Sequence, residues 1–540
     1  MMNTLPGSFI AVGNIPDATT AYHDEPLSLL FGMCNGAMQF NNRVFLYGDR
    51  LIRVNLNWIR DYILTMKGFR YTEKDLTSFP DLLLEKQHKK GFFYEIIAPV
   101  TDMHSGRPWR ENGVLHQISS PECCYYEPGL KFGLCRLELE ADIEYLMVEG
   151  AFMIWQATGD DDWLRRNLPR LEKGVHYIMS DPLRWDRSHG LAKRPRTLDT
   201  WDFLDSKRSQ TDRAIHPDDP MGIFHGDNTG LYNAKLLMAK MYRFFGDESS
   251  AIRHEEEAAA LRERIMKFLW NGDFFRHFLP LDPVDYGVDE ERQMSLSNAY
   301  ALNRNILDLN QKRRVIAAYR AMRKPGGGDL DDFCNLEPPY PMFHGMKAGF
   351  YVNGALAPFV AGELALGAFE SGEEAYGVDI LKRMGRKISR DGKVAFLYDR
   401  NGNDIGGGPR CWCGAELMHA ECAGLAGVVD NGKLFENVTL SPRFLAAGET
   451  RAHVRLEYAA SGAAVEYDWS FDPEKKRIGF HLLSRHNFCT VRMLLPEESS
   501  SPVCRIETKE IPTKIETVSR SRYLVVENFP SGSECVIDLE

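Results

Sequence analysis

The chain has 540 residues, 44% hydrophobic and 26% charged, with a formal net charge of −11, an ordinary globular balance at a length that can bury a large core without staples. The acidic surplus argues against nucleic acid or an anionic membrane as partner, and against a strongly acidic polysaccharide unless the site is locally basic. No run of about 18 apolar residues occurs, so no membrane span is expected.

The opening MMNTLPGSFIAVGNIPD lacks the basic and apolar regions of a secretory leader, so the expected location is cytoplasmic. Residues 1–50 are turn-rich and read as short strands or an irregular cap. From about residue 52 to 427, apolar residues recur at three- and four-residue spacing. This spacing predicts helices near 52–66, 74–88, 134–158, 161–180, 228–246 and 248–270. More follow near 294–305, 310–323, 352–368, 372–388 and 411–427. Short turns (ATGDDDW, FFGDES, LDLNQ, ESGEEA) join several pairs, with Gly, Asp and Ser supplying helix-stop and N-cap chemistry. Long loops such as 181–227 and 325–351 separate them. Short turn, long loop, short turn describes stacked helical hairpins, and closing six of them into a ring gathers the long loops on one face. After about residue 436 the pattern alternates apolar and polar residues, as in VRLEYAASGAAVEYDWSFDPEKKRIGFHLLS, which reads as strands. The expected fold is mainly α: an (α/α)6 toroid over 51–436, a β-sandwich-like module over 437–540 that is a packing partner or a binding module, packing being favoured, and a β or irregular segment over 1–50.

The 11 cysteines are an odd number without the spacing of a small disulfide scaffold. Cys123–Cys124 and Cys411-Trp-Cys413 are not the paired CxxC of a zinc site, so reduced thiols and no metal or cofactor are expected. The 9 Trp, 21 Tyr and 30 Phe supply a large aromatic core and, in part, rings for a sugar cleft. The Gly-rich stretches GGGDLDDF and IGGGPR match no nucleotide-binding loop. The second can offer backbone N–H groups and Arg410 to an anion.

TGDDDWLRRNLPRLEKGVHYIM and GDESSAIRHEEEAAALRERIMKFLWNGDFF resemble the outer helices of six-hairpin glycosidases. LFENVTLSPRF is similar to the exit from their last barrel helix, RTLDTWDF resembles the segment carrying the catalytic acid in trehalases and the α-glucosidase I group, and RVNLNWIRDYIL resembles the first inner helix, where an Arg-Asp pair faces the sugar. The resemblance spans roughly residues 50 to 445 and implies a glycoside hydrolase acting on small oligosaccharides.

Glycosidic cleavage needs a proton donor at the leaving oxygen and a second carboxylate as base or nucleophile. Asp202 is the candidate acid, because Trp201 and Phe203 supply the apolar neighbours that raise a carboxyl pKa. The bland alternative is a helix cap or an ion pair with Arg196. Asp199, three residues before Asp202, is a second catalytic candidate that shares the site or is itself the acid. Alignment with glucoamylase-like members puts Phe396 where their catalytic Glu stands, leaving Glu416 and then Asp399 as candidate bases, while Glu421 reads as a mid-helix residue. Arg60 and Asp61 are candidates to hold sugar hydroxyls or to form a structural ion pair. Trp201, His225, Asp227, Asn353, Trp412 and Trp109 complete the candidate binding set, with Asp227 also a candidate N-cap. Three rival readings stand: a phosphorylase, in which phosphate replaces an activated water; an epimerase or lyase relying on His225 and His344; and a non-catalytic carbohydrate-binding protein on a degenerate barrel. Oligomeric state is unreadable from the sequence.

Overall fold

The computed structural model describes residues 7–13, 26–40, 42–100, 109–111, 114–116, 121–204, 213–323, 326–408 and 410–539. Helix makes up 38% and strand 24%, so strands carry more of the fold than a mainly helical reading allots.

The helices in chain order are α1 (Pro26–Ala37), α2 (Ile59–Phe69), α3 (Ser78–Glu85), α4 (Ile143–Thr158), α5 (Asp161–Ser180) and α6 (His225–Phe244). They continue with α7 (Glu248–Leu269), α8 (Ser297–Ala301), α9 (Leu309–Met322), α10 (Pro358–Phe369), α11 (Glu374–Asp391) and α12 (Arg410–His419). The even-numbered helices pack in a closed cycle: α2 on α4, α4 on α6, α6 on α8, α8 on α10, α10 on α12, and α12 back on α2. Composition explains why they lie inside. Every residue of α10 is buried, as expected of a helix apolar all round. By contrast α9 buries only Val315, Ile316 and Tyr319, and it packs outside the cycle on α10. Close approach inside the cycle needs small residues: a Cβ at Gly362 of α10 would stand 2.5 Å from the backbone of Glu416 on α12.

Three of the short turns owe their sharpness to caps. The Asp160 carboxylate accepts from the Trp163 N–H at 2.8 Å, Asp247 accepts from the Ser250 N–H at 3.1 Å, and Asp308 with Gln311 forms a capping box. These turns run from even to odd helices. The long segments, including 181–224, 323–357 and 392–409, run into even helices and so gather at their N-terminal ends.

Several helices start later than periodicity indicates, because tertiary pairing takes the preceding residues. Arg50–Asn55 pairs with Asn42–Tyr47, so α2 begins at Ile59, and Phe132–Cys135 pairs with Ile96–Pro99, so α4 begins at Ile143. The helix expected over 294–305 shortens to α8. The one expected over 411–427 divides into α12 and a π-helical turn, Ala420–Leu425. Residues 1–50 hold a helix absent from the sequence reading, α1, which packs on α11 and α12, and a short strand, Phe9–Val12, that pairs antiparallel with Arg451–Glu457, Ile10 opposite Val454. That strand edges a seven-stranded sheet, and a five-stranded sheet joins Val428–Asp430 and Asn437–Leu440 to three later strands. Residues 451–457 alternate between buried and partly exposed, the period-2 signature of a half-buried strand.

Candidate functional site

The N-terminal ends of the even helices and the segment 194–204 converge. Arg60, in the first turn of α2, donates to Asp142 through Nε (2.7 Å) and Nη2 (2.8 Å), and through Nη2 to the Thr200 carbonyl (2.9 Å). Asp142 precedes α4 but makes no side-chain cap, because its carboxylate is taken by Arg60. Behind Arg60, burial pushes the carboxyls of Glu95 and Glu140 up. Arg194 donates to the Trp201 carbonyl at 2.7 Å and stands 3.5 Å from Asp227 Oδ1. Two arginines thus pin segment 194–204 across the ends of α2, α4 and α6.

Asp202 is buried, and its Oδ2 accepts from Arg213 Nε at 2.9 Å; Arg196 instead pairs with Glu290 at 2.8 Å. The Trp201 ring lies among Phe203, Tyr351, Phe359, Phe396 and Trp412, with centroids 5.7–6.4 Å away. Phe359 and Trp412 stack at 4.5 Å. Phe396, at the position where glucoamylase-like members carry Glu, is therefore part of an aromatic wall. Burial first, and then the charges of Asp202 and Asp61, raise the Tyr351 phenol pKa.

Asp199 has φ 49 and is buried. Its carboxylate accepts from the Ser297 hydroxyl, from the Ser297 N–H at 3.2 Å and from the Thr200 N–H at 2.7 Å. Burial works to raise its pKa, but His225, His277 and the Ser295 and Ser297 hydroxyls outweigh it and hold the carboxyl low. Burial pushes His225 down to about 3 and His277 to about 4, so both are neutral at pH 7. His277 Nε2 accepts from the Asp199 N–H at 2.8 Å, and His225 Nε2 meets Ser295 Oγ at 2.9 Å. Asp227, in the first turn of α6, is raised to about 7, by burial first and by Asp142 and Asp199 after it, against Arg194. Its Oδ2 has no hydrogen-bond partner among the described residues.

The other sequence candidates lie elsewhere or are engaged. Glu416 is in the body of α12 rather than at its start, 2.9 Å from Lys67 Nζ, and accepts from the Tyr300 hydroxyl at 3.0 Å. Asp399 is a partly exposed turn carboxylate accepting from the backbones of Asn401 (2.9 Å) and Asn403 (2.8 Å). Asn353 precedes α10 instead of opening it, and its amide is spent on Tyr340 and Met346 backbone (3.0 Å each). Trp109 lies in strand Trp109–Glu111, its side chain outside the described residues. Trp412 donates to the Tyr300 hydroxyl at 3.0 Å and, with Arg60, Asp142, Thr200 and Ser297, lines a small pocket of about 20 Å³. Arg194, Arg213, His277, Ser297 and Tyr351 escaped the sequence reading. They reach the site from distant segments, and only the basic run AKRPR around Arg194 gave a local signal.

Among the described residues no helix is long and apolar enough to cross a membrane, and no group of three or more His, Cys, Asp or Glu is arranged to hold a metal ion.

No family model matches the chain, and no curated protein matches it in sequence. Solved structures do match in fold. An α-L-rhamnosidase from Dictyoglumus thermophilum matches with TM-score 0.60 at 11% identity, over 98% of this chain and 50% of its own. A GH78 family rhamnosidase from a Bacillus species gives 0.56 at 12% identity, over 91% of this chain and 43% of that one. A GH63 mannosylglycerate hydrolase from Thermus thermophilus gives 0.50 at 13% identity, over 72% of this chain and 99% of its own. The chain thus spans about half the length of the rhamnosidases it matches. At these identities the likeness is one of fold: helical barrels accompanied by β domains.

Proposed function

We propose that the chain is a glycoside hydrolase whose chemistry is carried by Asp202 and Asp227. In this reading the closed cycle of even helices is the inner wall of an (α/α)6 toroid over residues 51–436, and residues 437–540 form a β module that packs against it. The carrying observation is the pair of buried carboxyls in contrasting settings at the loop-rich end: Asp202 ion-paired with Arg213, and Asp227 pushed up to about 7 with an oxygen unpartnered among the described residues. Two carboxyls in contrasting charge environments are what acid–base cleavage of a glycosidic bond uses. The activities of the solved neighbours, rhamnosidase and mannosylglycerate hydrolase, support the reaction class.

The contrast reverses the role expected of Asp202. A carboxylate beside a guanidinium stays ionised, which suits the base or nucleophile. A carboxyl at about 7 carries a proton near neutrality, which suits the donor. Arg60 and Asp61 offer directed hydrogen bonds to sugar hydroxyls, Trp201 and Trp412 offer ring faces, and Asp199 with His225 and His277 holds the turn that presents Trp201 and Asp202.

The test is a comparison of Asp202→Asn and Asp227→Asn on α-L-rhamnosides and α-mannosides with either a dinitrophenol or a sugar as leaving group, with and without phosphate. We expect Asp202→Asn to lose about 10²–10⁴-fold on every substrate. Asp227→Asn should lose a similar factor on sugar leaving groups and far less on dinitrophenol, which departs without a proton. Wild-type activity in both variants would exclude the pair.

A second reading, a non-catalytic carbohydrate-binding barrel, is favoured by the engagement of Glu416 with Lys67. It predicts sugar binding without turnover in the wild type.

A further inference from the structure

A second chamber of the helix cycle lies at its other end. A cavity of about 440 Å³ opens where the even helices terminate, lined from Lys67 and Arg70 on the α2 side to Glu363 and Leu366 on α10. Tyr300 and Arg304 line both this cavity and the small pocket beside Arg60, so they form the partition between the two ends. The Tyr300 hydroxyl stitches that partition together, donating to Glu416 and accepting from Trp412, each at 3.0 Å.

The lining has two characters. Phe152, Leu237 and Leu366 present an apolar wall. Around it stand amide side chains with capacity to spare. Asn233 donates to Glu149 at 2.9 Å and Asn303 to the Glu363 carbonyl at 3.0 Å. No hydrogen bond to either amide oxygen occurs among the described residues. Arg70 Nε and His419 Nδ1 are likewise buried without a hydrogen-bond partner there. The charges of the lining cancel in number, Lys67, Arg70, Arg304 and Lys312 standing with Glu149, Glu363, Glu370 and Asp430; Lys67 pairs with Glu363, and Glu149 is 3.9 Å from Arg304. Many donors and acceptors, one apolar wall and little net charge suit a neutral polyhydroxylated ring, and the volume is within the range of small-ligand pockets.

We propose that this cavity is a second ligand site, for a single neutral sugar ring or a polyol of that size, separated from Asp202 by the Tyr300–Arg304 partition. It does not depend on the chemistry assigned to Asp202 and Asp227.

Binding of L-rhamnose, D-mannose, D-glucose and myo-inositol to the full chain is measured by saturation-transfer NMR and titration calorimetry. The proteins are wild type, Asp202→Asn, Asn233→Leu and Val429→Trp, the last placing a large ring at an exposed lining position. At least one probe should bind wild type and Asp202→Asn with equal affinity. Asn233→Leu should weaken it about tenfold or more by removing hydrogen bonds, and Val429→Trp should abolish it, both with unchanged melting temperature. Turnover, where the wild type shows it, should be unaffected by Asn233→Leu, so failure of either assignment is read separately. No binding by any probe, or binding that Asp202→Asn abolishes and Asn233→Leu spares, would overturn the proposal.

Discussion

Asp227 is where burial changes the chemistry of a single residue most plainly. A free aspartate titrates near 3.9, and this one sits at about 7. Its folded pKa is raised, so the folded state binds the proton more tightly than the unfolded chain. The stability this contributes is complete below about pH 4 and is lost as pH rises through 7. Asp227→Asn removes the titration. The urea midpoint of wild type should therefore fall relative to the variant between pH 5 and 8; parallel curves would refute the assignment. Lys67 shows the opposite balance. Burial works to raise Glu363, but the Lys67 charge, joined by hydrogen bonds with Glu416, Lys67 and Asn303, outweighs it and holds the carboxyl low. Lys67→Met leaves that carboxylate buried without its cation and should cost about 3–5 kcal/mol in denaturant unfolding, with partial recovery in a Lys67→Met, Glu363→Gln double variant. Sequence could nominate Asp202, Asp227, Arg60 and Asp61 because each lies in or beside a helix start or a motif-like run. It could not supply Arg213, Arg194 or His277, because what makes them partners is the folding back of segment 194–204, which leaves no local pattern.

At the level of elements, amphipathic helices with explicit caps were legible and buried ones less so. The spacing predicts 161–180 and 248–270, and the structure has Asp161–Ser180 and Glu248–Leu269; both begin after a capping aspartate. The helix Pro26–Ala37 was missed because PLSLLFGMCNGA carries no charge and no 3.6-residue polar stripe; it buries Leu27, Ser28, Leu30, Phe31 and Cys34 and packs on α11 and α12. Two glycines in helices test the packing argument. Gly36 lies in α1 with nothing within 4 Å of a Cβ position, whereas a Cβ at Gly362 meets the Glu416 backbone at 2.5 Å. Gly36→Ala should stabilise by roughly 0.5–1 kcal/mol through the unfolded chain. Gly362→Ala should destabilise by about 1–3 kcal/mol, because backbone on the facing helix cannot step aside as a flexible side chain can. Equal effects in equilibrium denaturation would remove close approach as the reason α10 and α12 pack as they do.

For the whole molecule, the question is whether helices and sheets stand or fall together. Arg443 is buried at their junction and donates to the Gly424 carbonyl at 2.6 Å, to Glu370 at 2.7 Å and to the Tyr523 hydroxyl at 3.1 Å. These partners come from the π-helical turn, the end of α10 and the five-stranded sheet, so one guanidinium satisfies three elements. Tyr467 of the seven-stranded sheet donates to the Ala426 carbonyl at 2.5 Å, and Phe9–Val12 is delivered to that sheet by the same stretch of chain that continues into α1. A boundary crossed by buried polar groups leaves them unsatisfied if one side melts first, a cost of about 1–3 kcal/mol for each group. Wild type should therefore unfold in a single calorimetric transition, with calorimetric and van't Hoff enthalpies equal. Arg443→Met keeps the volume but strips the three acceptors of their donor. It should lower the midpoint and broaden or split the transition, the sheets and helices then melting at separate temperatures. Two resolved transitions already present in wild type would mean that the junction contacts do not couple the parts, and that each carries its own core.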